Sequence, residues 1–152
     1  MIKQILAPLR GVAIAAVMAL GVAACSSNGM NAQPQASLYD RLGGKEALSA
    51  VVNHLWGVVA ADERINGRFA NTQPAAFAGQ LVDFLCQGTG GPCQYQGKNM
   101  HDAHTGMNLS SAEFMALGDD VVQTLNHFKV PAAEQKEVMD LLISMQGDVI
   151  DH

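Results

Sequence analysis

Gly90-Gly91-Pro92-Cys93-Gln94-Tyr95-Gln96-Gly97-Lys98-Asn99-Met100-His101-Asp102-Ala103-His104-Thr105-Gly106 is the stretch on which the fold turns. Its glycines and proline stop any helix before it, since Pro cannot continue one and Gly adopts backbone angles other residues avoid. Asn99 to Gly106 then reads as a short helix with His101 and His104 and a Gly stop behind them. About a dozen residues stiffened by Gly and Pro are a costly way to join neighbouring helices unless the loop positions something.

Working outward, the chain reads as amphipathic helices with no convincing strand pattern, so the fold class is all-α. Ser37 caps a short turn, 38–42, which Gly43-Gly44 ends. Residues 45–61 put Leu48, Val51, Val52, Leu55, Trp56 and Val59 on one stripe. A tight corner follows over 62–69. Thr72 and Pro74 mark the start of a helix over 73–87 by capping and fixed φ, with Phe77, Leu81, Phe84 and Leu85 inward. Ser110-x-x-Glu113 is a capping box that opens a helix to about Phe128, with Phe114, Leu117, Val121, Val122 and Leu125 inward. Pro131 opens a last helix expected to bury Val138, Leu141, Leu142, Met145 and Val149. Four such helices also suit a plain bundle, and the stiffened loop argues against it.

The first 25 residues have the composition of an export signal. Lys3 and Arg10 form a basic start, Gly11 to Ala24 an apolar run, and Val22-Ala23-Ala24-Cys25 a bacterial lipobox. The run falls short of the ~20 residues of a membrane-spanning helix. Cleavage would leave Cys25 as a lipidated N-terminus. Serines rather than Asp follow it, the sorting pattern of an outer-membrane lipoprotein facing the periplasm. Residues 26–36 are polar and act as a flexible tether. Residues 37–152, 116 in number, are enough for one domain with one core.

Removing Lys3 and Arg10 leaves seven basic residues against fourteen acidic ones, a net charge of −7. So acidic a protein, without a basic cluster, does not seek nucleic acid or anionic headgroups, and the lipid is the expected membrane contact. Lipidation uses Cys25. In an oxidising compartment Cys86 and Cys93 are then expected to pair, with two buried free thiols as the alternative.

From 38 to about 150 the chain resembles the group 1 truncated haemoglobins. The resemblance rests on Tyr39-Asp40-Arg41-Leu42-Gly43-Gly44, Phe69 at the corner, Gly90-Gly91-Pro92, Tyr95, Gly97, Met100, His104 and Val130-Pro131. It implies a two-over-two globin fold and a haem b with His104 as the axial iron ligand, with the Met100 carbonyl as acceptor for its other ring nitrogen. His101, three residues earlier, lies at a different angle on the helix and is expected at the haem edge or in solvent. The resemblance also makes Phe69 the aromatic packed on the haem ring. Trp56, Phe77 and Leu81 face the vacant side of the iron, and Gln80 lies near the haem edge. Tyr95, with Lys98 and Thr72, is a candidate for the propionates. No C-x-x-C-H motif is present, so the haem is expected to be non-covalent.

The chain departs from the family pattern on the vacant side. Many members place Tyr and Gln at the positions of Trp56 and Leu81, giving hydroxyl and amide donors to bound oxygen. The implied function is reversible binding of a diatomic gas: oxygen, nitric oxide or carbon monoxide. A haem enzyme (nitric oxide dioxygenation, peroxide turnover or electron transfer, with an electron donor the sequence does not name) is the main alternative. Behind it stand a copper-handling lipoprotein built on Met100, His101, His104 and Met107, and a globin fold without haem. His54, His127 and His152 read as surface residues.

Overall fold

The computed structural model describes residues 35–151. The export signal, Cys25 and most of the tether lie outside these residues, as does His152. Seven α-helices follow in order: α1 Leu38–Arg41, α2 Gly44–Ala61, α3 Pro74–Gly88, α4 Met100–His104, α5 Ser111–His127, α6 Ala132–Ser144 and α7 Gln146–Val149, with a 3-10 helix Asn66–Phe69 between α2 and α3. No helix among the described residues is long and apolar enough to cross a membrane.

Local chemistry sets most boundaries. Ser37 and Asp40 form a capping box on α1, as Ser110 and Glu113 do on α5, each satisfying backbone donors that a helix start leaves open. Pro74 sits at the start of α3. The cap is Gln73 without a side-chain bond, not Thr72 as expected, because fixed φ at Pro already defines the first turn.

Helix α2 is the hub and packs against both α3 and α5, while α5 also packs on α6. The core lies where these meet: Leu55, Val59, Ile65 and Ala116 are buried together, with Phe69, Leu81, Leu117 and Val121 packed against them. Arg41 pairs with Glu134 and Glu137 and ties α1 to α6. Two expectations about burial change. In α3 the buried residues are Val82 and Cys86, whereas Phe77, Leu81, Phe84 and Leu85 are only half-buried. The last helix is two, broken at Met145, and of its expected residues only Val149 is buried. Val138, Leu141, Leu142 and Met145 have one packed side and an open one.

Two polar features went unread. Asp120 is 3% exposed and one of its oxygens, Oδ2, has no hydrogen-bond partner. Burial pushes its carboxyl above the usual range, nearby Asp62 and Asp119 add to this, and Arg64 partly offsets it. His54 is half-buried rather than on the surface. Its ring stacks on His127 at 4.0 Å and Nδ1 lies 3.4 Å from the Thr124 hydroxyl.

Cys86 and Cys93 form a disulfide that joins the end of α3 to the loop beyond it. Gly91 lies inside this staple. A Cβ there would come within 2.6 Å of the Tyr39 ring and 2.7 Å of Cys86 Sγ, and the bonded sulfur has no room to yield. Gly91→Ala is therefore expected to cost about 1–3 kcal/mol, the usual penalty of overpacking. Urea unfolding checks this, and an unchanged midpoint would show that the loop absorbs the methyl group.

Candidate functional site

Helix α4 has five residues, too few to be stable alone. Asn99 starts it by accepting from the Asp102 N–H at 2.7 Å. At its end, His104 Nδ1 lies 2.8 Å from the Met100 carbonyl oxygen. A carbonyl only accepts, so Nδ1 carries the proton and Nε2 is left with the lone pair. That is the form of imidazole that ligates a metal. His104 is half-buried, whereas His101 is exposed with Nδ1 beside the Asp102 carboxylate at 3.4 Å.

The main packing partner of α4 is α7, not α2 or α3. Its position therefore depends on the two loops that hold it. At the entrance the Cys86–Cys93 bond is joined by the Tyr95 N–H, which donates to Gln87 Oε1 at 2.8 Å. The Tyr95 ring meets Phe84 edge-on at 5.2 Å, and its hydroxyl donates to the Lys98 carbonyl at 2.9 Å. At the exit the Met107 N–H donates to the His104 carbonyl at 3.0 Å. Arg68 donates from Nη1 to the Met107 carbonyl at 3.0 Å and from Nε to Glu113 at 2.6 Å. The Asp151 N–H donates to the Leu109 carbonyl at 3.0 Å, closing this side against the chain end.

Trp56, Phe69 and Phe77 come together from α2, the corner and α3. Phe69 meets Trp56 at 6.0 Å and Phe77 at 5.7 Å, both edge-on, and Trp56 tilts over Phe77 at 5.4 Å. All three rings and Leu81 are half-buried, so apolar surface remains uncovered by protein. The Trp56 indole N–H has ring neighbours but no hydrogen-bond acceptor among the described residues.

Gln80 is exposed. Tyr95 is not with the aromatic group: its hydroxyl donates to the Lys98 carbonyl within its own loop. Sequence reasoning missed Arg68 and Gln87, whose roles depend on partners the local pattern does not reveal. Among the described residues no three His, Cys, Asp or Glu side chains are arranged to hold a metal ion. A single oriented imidazole and an uncovered aromatic surface fit instead a metal carried in a flat apolar ring.

Residues 37–151 match the bacterial-like globin family. A group 1 truncated haemoglobin of Tetrahymena pyriformis is 38% identical over 120 residues, covering 79% of this chain and 92% of that one. The chain is a group 1 truncated haemoglobin. The crystal structure of the Tetrahymena pyriformis truncated haemoglobin in its Fe(III) form superposes with a TM-score of 0.74 at 35% identity, covering 77% of this chain and 100% of that one. The 2/2 haemoglobin of a Synechococcus species, in the cyanomet state with covalently attached haem, gives 0.72 at 32% identity, covering 76% and 98%. The all-helical two-over-two fold of this truncated haemoglobin pairs α2 with α3 and α5 with α6.

Glu113 caps α5 beside the exit side of the site and pairs with Arg68. The Arg68 guanidinium, with the Ser110 backbone and hydroxyl, lowers its carboxyl to about 2 from the ordinary 4.5. A carboxyl depressed by folding adds stability that is complete above pH ~4.5 and is lost as pH falls through about 2. Glu113→Gln should flatten the fall in stability across that interval, read by denaturant midpoints at successive pH. An equal acid slope in both proteins would count against the pairing.

Proposed function

We propose that this truncated haemoglobin binds a non-covalent haem through His104 Nε2 and reversibly takes up a diatomic gas, with only short-lived binding of oxygen. The observation that carries the reading is the 2.8 Å contact from His104 Nδ1 to the Met100 carbonyl, which leaves Nε2 as the free ligating atom. Non-covalent retention is supported by the absence of C-x-x-C-H and by the use of Cys86 and Cys93 in a disulfide. Haem, when bound, would supply an iron able to take up a gas.

The chain's own residues then do three things. His104 Nε2 would hold the iron, its ring oriented by the Met100 carbonyl. Phe69 would pack against the ring, and Trp56, Phe77 and Leu81 would line the gas side and keep water out. None of the four is an acid or base of the kind that drives peroxide turnover, so gas binding is favoured over peroxidase chemistry. We propose further that the mature protein is exported and held at the outer membrane by lipid on Cys25, as the basic start, apolar run and lipobox support.

A hydrogen bond to a polarised ligand contributes roughly 1.5–3 kcal/mol, or about 10- to 100-fold in release rate. The Trp56 indole is engaged with two rings, and we assign it no bond to ligand. Oxygen should therefore leave about 10- to 100-fold faster than from relatives with hydroxyl and amide donors there, while carbon monoxide and nitric oxide still bind. In stopped-flow measurements Trp56→Phe should change oxygen release by less than about threefold, since no donor of that strength is removed. Slow release in the parent chain, with a tenfold or larger acceleration in Trp56→Phe, would contradict this.

A further inference from the structure

We propose that Arg68 is a positioning residue that sets the orientation of His104 from the far side of the α4 exit loop; the inference rests on the haem reading above. Arg68 is anchored through its backbone, whose N–H donates at 2.9 Å to the carbonyl of Ile65, itself 4% exposed in the core. It is also the neighbour of Phe69 in the 3-10 helix. From that fixed point its guanidinium forks to two elements: Nη1 to the Met107 carbonyl and Nε to Glu113, the capping residue of α5.

Met107 is not an incidental acceptor. Its N–H donates to the His104 carbonyl, closing the turn behind α4. A continuous path therefore runs from the core at Ile65, through Arg68 and Met107, to the backbone of His104. It ends where His104 Nδ1 donates to the Met100 carbonyl. Because α4 packs mainly on α7, little else relates His104 to the corner that carries Phe69. The guanidinium–carboxylate pair is partly exposed and joins the corner to α5, not to α4. What positions α4 is the charged donor on a backbone carbonyl, stronger than a neutral bond and directional.

The test uses the haem-loaded protein with two readouts. These are the iron–histidine stretching band in the reduced, ligand-free state, and the rate of haem transfer to an excess of an apoglobin acceptor. Arg68→Met removes both bonds and should shift or split the band and speed haem transfer about tenfold. Glu113→Gln removes the ion pair, can keep the α5 capping box because Gln also serves there, and leaves the Arg68 bond to Met107; it should leave the band in place even if it lowers stability. An unmoved band in Arg68→Met, or an equal shift in Glu113→Gln, overturns the proposal. If Arg68→Met does not fold, Arg68→Lys decides, because an ammonium cannot hold the forked geometry and should broaden the band; an unchanged band overturns it. A parent protein that holds no haem contradicts the haem reading instead, which keeps the two failures apart.

Discussion

The hydrogen bond from His104 Nδ1 to the Met100 carbonyl is the interaction around which the rest of the domain is arranged. It fixes both the tautomer and the ring angle within a helix of five residues, too short to persist unaided. The surrounding structure supplies what that helix lacks. Its entrance is held by a disulfide, by Gln87 and by the Tyr95 ring on Phe84. Its exit is held by Arg68 and by the bond from Asp151 to Leu109. The helix is thus fastened by its ends more than by its faces.

That arrangement explains the half-buried aromatic surface. A fully packed α4 would cover α2 and α3 and leave no room for a flat group. With α4 directed onto α7, Trp56, Phe69, Phe77 and Leu81 remain partly uncovered and present an apolar wall. On the proposed reading this wall accepts a porphyrin by burial of apolar surface and offers almost nothing polar to a bound gas. On the same proposal the proximal side would hold the haem, and the apolar far side would set which ligands stay.

The parts of this structure legible in the sequence are those set by near neighbours. The cap at Ser37, the capping box at Ser110 and the helix over 45–61, which the structure starts one residue earlier, follow from patterns within one or two turns. The histidine-to-carbonyl bond follows equally from the four-residue spacing of Met100 and His104. Burial along α3 did not follow. Periodicity finds an apolar face, but which residues are covered depends on the neighbouring helix, and Val82 and Cys86 were covered instead of Phe77 and Leu81. Arg68 was illegible for a related reason, because its partners lie 39 and 45 residues away. Asp120, a buried acid on an otherwise amphipathic helix, broke the pattern outright.

The most direct measurement is the absorption spectrum of haem-loaded His104→Gly with and without added imidazole. If His104 Nε2 is the axial ligand, the glycine variant loses the native Soret band and free imidazole, filling the vacated space, restores it. A glycine variant that keeps the native band without imidazole, or a His101→Ala variant that loses it, would contradict His104 as the ligand.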